Sequence, residues 1–352
     1  MSYQDGWSAI HLEMPGRVPR TEYSAEMHWD LLTEITGIAV TKDSPDALKA
    51  EARRILVRKW DYSFFWSTYI GHGEFPEYYT DMGHAEYMAG GVDLRQPKAG
   101  RIRTVEDVLG FRAMDALGPR DHATLVKRFE DHYRAQVAAG DDGVRMTGIY
   151  ITLISGLLDL FGWDLLLEAA GTDPRAFGRV ANGYAEWIQQ YFDALAAADV
   201  PVVMVHDDMV WTSGPFIQPD WYREFVFPNY RKYIAPLRDS GKIVAFTSDG
   251  DYTMFLDDVV AAGAHGVAME PMTDMAYFAA KYGRTHFFIG NADTRILLSG
   301  TKPQIRAEVE RCMRIGKPCP GFILAVGNHI PPNTPVENAL YYNEVYESLR
   351  RR

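Results

Sequence analysis

Cysteine is scarce in this 352-residue chain, with only Cys312 and Cys319 present, which excludes a disulfide-stapled secreted scaffold. Both fall before the last predicted strand, on the side away from the expected active face, so neither reads as nucleophile, metal ligand or redox partner. Positive charge is also in short supply, the formal net charge being −11. Neutralising a phosphate backbone needs clustered Lys and Arg, and only RTVEDVLGFR and the final Arg pair are locally basic, so nucleic acid is not an expected partner. There is no apolar run long enough to span a bilayer, and MSYQDGWSAIHLEMPGR has neither a basic nor an apolar signal region. No membrane span is expected, and the expected location is cytoplasmic. Walker, HExxH and GxSxG motifs are absent, as are low-complexity and solenoid repeats. GHGEF and GGVDL lack the spacing of a dinucleotide site.

What the chain does have is four short apolar runs that each end in polar residues. They are VPVVMVHDDMVW, closed by Thr212, then GKIVAFTSDGD (241–251), THFFIGNAD (285–293) and GFILAVGNHIPPNTP (321–335). Their length and their β-branched and aromatic content are those of strands buried on both faces, and helix-like stretches separate them, which is the pattern of repeated βα units. DYSFFWSTYIGHG, GHAEYMAGG, the start of VRMTGIYITLISGLLDLFGW and GVAMEPM bring the expected strands to the number of a closed (β/α)8 TIM barrel. Residues 58–352 are read as that barrel and residues 1–57 as an N-terminal helical extension packed on it. The extension carries two helix-like patterns, SAEMHWDLLTEITG and SPDALKAEARRILVRKW, with Ser24 and Ser44 as expected caps. Thr172 or Asp173 is expected to cap the periodic helix that begins at Pro174, and Pro228 to break the helix that follows the fourth strand.

In a parallel barrel the C-terminal strand ends converge on one mouth, so His206, Asp207, Asp208, Asp249, Asn291, Asp293, Asn328 and His329 are expected around one pocket. Asp207, Asp208, Asp249 and Glu270 are the candidate acids. Adjacent carboxylates after a strand face different ways, so one of Asp207 and Asp208 is expected to satisfy loop amides instead. Gly250 lets the backbone turn sharply beside Asp249, and a carboxylate buried without a cation holds its proton, which suits proton donation. Asn291, Asp293, Asn328 and His329 add donors and acceptors suited to a planar heterocycle, with His329 alternatively orienting a loop. His206 joins this recognition set, and Trp66, Tyr69, Trp211 and Phe216 are candidate stacking rings or packing residues.

DDMVWTSGPFIQPDWYREFVFPNY, AFTSDGDYTMFLDDVVAAGAHGVAMEP, IGNADTRIL and GNHIPPNTPVENALYY, with RVPRTEYSAEMHWDLLTEITG near the start, resemble the uroporphyrinogen decarboxylase-like superfamily. That superfamily is built on a (β/α)8 barrel and includes corrinoid (cobalamin)-dependent methyltransferases. The decarboxylases carry an arginine-rich segment that grips propionates; here MPGRVPRTEY offers Arg17 and Arg20 without that motif, so porphyrinogen decarboxylation is not expected. The thiol-methylating branch holds zinc with a His-x-Cys and a later Cys, where this chain has Thr247, Asp249 and Asn328, so its zinc array is missing. The resemblance then implies a methyltransferase moving a methyl group between a corrinoid protein and tetrahydrofolate. Asp249, Asn291 and Asn328 would recognise the ligand, with Asp207 or Asp208, and Glu270, as alternative proton relays. The corrinoid, as methylcobalamin, would sit on a partner protein, since HDDMV only superficially matches a corrinoid-binding motif. Two alternatives stand beside this reading. One is an O- or N-demethylating methyltransferase for a small methoxylated or methylamine donor, with metal use open and zinc on His206 or Glu270 among the options. The other is a non-catalytic barrel that binds a pterin or tetrapyrrole.

Overall fold

Short, uniformly apolar strands suit a ring in which each strand needs only to cross the wall. The computed structural model describes residues 2–75, 77–80, 100–140 and 142–352; the GHAEYMAGG segment lies outside them. Strand β1 (Phe64–Phe65) pairs in parallel with β2 (Val144–Arg145). Then β3 (Thr147–Ile149), β4 (Val202–His206), β5 (Ile243–Ser248), β6 (Gly266–Met269), β7 (Phe287–Ala292) and β8 (Phe322–Val326) form one parallel sheet in sequence order. A bridge from Ile70 to Ile149 ties the chain after β1 to β3.

The ring closes through a segment with no strand pattern. Leu324 N donates to Pro19 O at 2.9 Å, Thr21 N donates to Leu324 O at 3.0 Å, and Ser63 N donates to Arg20 O at 2.9 Å. Pro19–Thr21 is thus a stave between β8 and the entry to β1, and the chain folds as a (β/α)8 barrel. Hydrogen bonding across the ring therefore runs through residues on both sides of the expected division at 57. The stave is locked by Arg20 and Glu22, both fully buried, with Nη2 to Oε1 at 2.7 Å. The Arg20 guanidinium lies over Trp60 and Tyr346, and Tyr342 Oη and Val326 N donate to the Glu22 carboxylate.

Alternation along the strands divides the core in two. Val202, Met204, Ala245, Ala268, Ile289 and Ala325 belong to the cluster inside the ring, whereas Val203, Val205, Val244, Phe246 and Val267 pack against the helices. Ala9 and Ile10 join the inner cluster, so the helix Ser2–Ile10 closes one end of the barrel. At Gly6 a Cβ would lie 2.2 Å from the Ser63 carbonyl oxygen, so only glycine allows this approach.

Several local expectations change. Ser24 caps nothing; His28 caps the helix Trp29–Thr36 by accepting from Leu31 N, while its other ring nitrogen meets Thr334 O. Ser44 lies outside the helix Asp46–Lys59, which starts directly after Pro45, a residue whose fixed φ and missing amide suit that boundary. Asp173 does cap Pro174–Ala197 by accepting from Ala176 N. The chain breaks at Val226 between Pro219–Phe225 and Phe227–Asp239, with Pro228 in the second helix's first turn. Among the described residues no helix is long and apolar enough to cross a membrane.

Candidate active site

At the C-terminal end of β4 the chain places three ionisable groups in succession, and the structure gives each a different task. Asp207 is fully buried. Its carboxylate accepts from Leu153 N at 3.2 Å, Ile154 N at 3.0 Å and Ser155 N at 2.7 Å, and from the Tyr230 hydroxyl. These amides open the helix Ile154–Thr172, which has no side-chain cap of its own. Asp207 therefore caps a neighbouring helix, where orphan amides and the dipole favour a negative charge. All of its oxygen capacity is used there, so the expectation that it acts as an acid at the pocket is corrected.

His206 and Asp208 turn toward the barrel axis. The imidazole stacks on Tyr150, with ring centroids 3.8 Å apart, and its Nε2 lies 3.3 Å from Asp208 Oδ1. Asp208 Oδ2 accepts from the Tyr150 hydroxyl at 2.9 Å, and Oδ1 accepts from Asp249 N at 3.0 Å. His206 is only 8% exposed, and its Nδ1 has no hydrogen-bond partner among the described residues.

Asp249 follows β5. Gly250 has φ +82°, and a Cβ there would lie 2.4 Å from the Trp211 carbonyl oxygen, so the turn requires glycine as the sequence suggested. The turn leaves the Asp249 side chain open to a cavity of about 230 Å³. Burial among the surrounding protein atoms pushes the Asp249 carboxyl well above the usual carboxylate range; Asp208 and Glu270 add to the rise and a hydrogen bond from Asn328 opposes it. Asn328 Nδ2 lies between two acids, donating to Asp249 Oδ2 at 3.3 Å and to Glu270 Oε1. Glu270 Oε2 accepts from Gly250 N at 2.5 Å. Burial raises the Glu270 carboxyl too, against the hydrogen bonds from Asn328 and Gly250.

The cavity walls are aromatic. Tyr23 and Trp66 line it as a stacked pair with centroids 4.2 Å apart, and Tyr150 and His206 form a second pair. Met204 and Thr247 sit deeper, and Asn328 and His329 contribute from the loop after β8. Burial lowers the His329 pKa, favouring the neutral ring. Burial pushes the Tyr23 hydroxyl well above its ordinary range.

Other expected site residues lie elsewhere. Asn291 is buried, donating to the Glu270 and Thr273 carbonyls and accepting from Arg311, so it ties β7 to the loop after β6. Asp293 caps the helix Thr294–Ser299 and is held by Arg295. Burial pushes its pKa up, but the Arg295 hydrogen bonds outweigh that and leave it lowered. Tyr69 stacks on His132 beneath Arg128, against the helix His122–Ala138. Trp211, 45% exposed, gathers with Trp163 and Phe216 outside the cavity lining. Tyr23 and Tyr150 were not singled out by sequence reasoning. Their signal was the aromatic at each stave end, Tyr23 after the buried Arg20 and Tyr150 one position beyond β3.

As for metals, His206, Asp208 and Asp249 each offer one ligand atom, all within 4.8 Å of one another, so they could hold a divalent cation on nitrogen and oxygen. The thiolate zinc array does not fit: Thr247 and Asn328 offer a hydroxyl and an amide. Cys312 and Cys319 are buried away from the cavity lining, and burial pushes the Cys312 thiol up to about 12.

A family model of uroporphyrinogen decarboxylase matches residues 87–348. The chain is 26% identical over 255 residues to uroporphyrinogen decarboxylase of Carboxydothermus hydrogenoformans, a match spanning 70% of this chain and 69% of that enzyme. It is 29% identical over 171 residues to a uroporphyrinogen decarboxylase of Thermus thermophilus, spanning 49% of this chain and 48% of that one, so about half of each. Among solved structures, a methyltransferase from Methanosarcina mazei shares the fold with a TM-score of 0.61 at 16% identity, over 99% of this chain and 98% of that one.

Proposed function

The chain belongs to the uroporphyrinogen decarboxylase family, and from that premise we propose that it is a methyltransferase, moving a methyl group between a small compound held in the cavity and a corrinoid carried by a partner protein. The observation that carries this reading is the cavity itself: about 230 Å³, walled by Tyr23, Trp66 and Tyr150, faced by Asp249, and with no lysine, arginine or cysteine among the described residues of its lining.

Three comparisons of chemistry support it. A porphyrinogen is a macrocycle fringed with carboxylates and needs both more room and cationic partners. The two arginines of MPGRVPRTEY are committed elsewhere, Arg17 to Asp5 and Asp61 and Arg20 to Glu22. Thiol methylation needs a thiolate held on a metal, and the residues at the matching places are not thiolates. Methyl transfer from nitrogen or oxygen asks instead that the leaving group depart without an uncompensated negative charge. Asp249 holds its proton above the usual carboxylate range, which suits a general acid at the leaving atom. Asn328 holds Asp249 and Glu270 together, and Tyr150 and His206 fix Asp208.

The cavity admits the pterin head of a methylated tetrahydrofolate or a smaller methoxylated or methylamine donor, its volume lying below the roughly 300–1,000 Å³ of pockets for drug-sized ligands. When docked, the corrinoid supplies the cobalt centre that gives or takes the methyl group. The chain's own residues bind and orient the donor, exclude water behind the two aromatic pairs and manage the proton. Calorimetric titration of the metal-analysed protein with methyltetrahydrofolate, tetrahydrofolate, methoxylated aromatics and methylamines tests this. Saturable binding of at least one methyl donor, weakened about ten-fold or more by Asp249→Asn, is expected. Binding of uroporphyrinogen with no response to any methyl donor would contradict it.

A further inference from the structure

Resting on the reading of the cavity as the methyl-donor site, we propose that its ligand is a small methylated ammonium cation, bound by the Asp249 carboxylate, with the charge of Asp208 close by, against the stacked Tyr23–Trp66 pair and Tyr150.

Charge is the first argument. Asp249 opens into the cavity, Asp208 lies against Tyr150 and the Asp249 amide, and Glu270 stands behind Asn328. No lysine or arginine lines the cavity among the described residues. Arg295 is the cation felt by Glu270, but its guanidinium is engaged bidentately by Asp293 at 2.7 and 2.9 Å. Asp249 therefore faces a space in which no cationic side chain balances it among the described residues; a cationic occupant supplies that charge and favours the carboxylate form, and since an ammonium donor leaves as a neutral amine it needs no proton from Asp249.

The walls are the second. Three electron-rich rings bound the space, the arrangement that attracts an ammonium through the ring quadrupoles and suits its methyl groups through dispersion. A bare metal ion gains from the carboxylates but cannot fill an aromatic-walled space of about 230 Å³. A neutral methoxyarene fills the space but leaves the charge unanswered.

The third is His206. Its ring lines the cavity, it is nine-tenths buried, and its Nδ1 has no partner among the described residues. An N–H of a partly methylated ammonium is a donor for such an acceptor, whereas an ether offers none.

The test compares trimethylammonium with tert-butanol, an uncharged compound of similar shape, by calorimetry on chelator-treated protein at near-neutral pH. The cation is expected to bind at least about ten-fold more tightly, as cation–π and carboxylate contacts predict. Asp249→Asn and Trp66→Leu are each expected to remove most of that preference while the thermal midpoint moves by only a few degrees. Equal affinities, or a preference that survives both substitutions, would overturn the inference. So would Mn²⁺ or Zn²⁺ binding to the chelator-treated protein with no ammonium binding, which would reassign His206, Asp208 and Asp249 to a metal. Binding of methyltetrahydrofolate or a methoxyarene alone would overturn the cation while leaving the methyltransferase reading intact. Ammonium binding without methyl transfer to free reduced cobalamin would keep the cation site and contradict the methyltransferase.

Discussion

Asp207 and Asp249 are the same residue type at the ends of neighbouring strands, and their surroundings give them opposite roles. Asp207 meets four donors in a closed site. Asp207→Ala orphans the first amides of the Ile154–Thr172 helix, and a stability loss of about 3 kcal/mol or more is expected in urea unfolding. Asp249→Asn replaces a carboxyl that holds its proton above the usual range by a neutral amide of the same size, so stability is expected to change by less than about 1 kcal/mol while donor binding falls. The sequence pointed to one structural and one functional carboxylate in HDD but not to which, because the deciding amides belong to residues 153–155, some fifty positions upstream. Asp159 gives a third case. It is 1% exposed, and burial, with Asp208 nearby, pushes its carboxyl up to about 8 from 3.8. A raised acid binds more protons in the folded than in the unfolded chain, so its contribution is present at low pH and lost as pH rises. Stability should therefore fall between about pH 4 and pH 8, by at most about 1.4 kcal/mol per unit. Asp159→Asn should flatten that slope in urea midpoints measured across the range, though not abolish it, since Asp249 and Glu270 are shifted the same way. An unchanged slope would show that Asp159 does not titrate there.

At the scale of elements, the strands the sequence announced are those with continuous apolar runs, β4 to β8, because burial on both faces leaves no room for polar residues. The Pro19–Thr21 stave was illegible for the converse reason: three residues, two of them polar, carry no period, and only tertiary hydrogen bonds make them part of the ring. The helix Ser2–Ile10 was missed likewise, since its glycine is there for packing on Ser63 and lowers its helical signature. The stave depends on the buried Arg20–Glu22 pair. Arg20→Met strands the Glu22 carboxylate among Tyr342 and β8, and a loss of about 3–5 kcal/mol is expected in guanidinium unfolding. Restoring most of it with Arg20→Met combined with Glu22→Leu would show that the cost is the orphaned charge; no restoration would show that the pair itself holds the stave.

For the whole molecule, patterning was enough for the (β/α)8 architecture, and the polar strand ends were enough to locate the mouth. Which of those ends face the cavity was not legible, because Asn291 points into inter-element hydrogen bonds and Asp293 into the cap of the helix that follows it, while Tyr23 and Tyr150 line the cavity. Replacing Cys312 and Cys319 by Ser should leave donor binding unchanged, since neither lines the cavity; a selective loss would overturn that placement. The central claim is that this family member transfers methyl groups and does not decarboxylate a porphyrinogen. The most direct measurement supplies the protein in parallel with uroporphyrinogen, following loss of its carboxylates, and with free reduced cobalamin plus a panel of N- and O-methyl donors, following methylcobalamin by absorbance. The account predicts donor-dependent methylcobalamin formation, slowed at least about ten-fold by Asp249→Asn, and no change in the porphyrinogen. Turnover of uroporphyrinogen with no methyl transfer from any donor would contradict it.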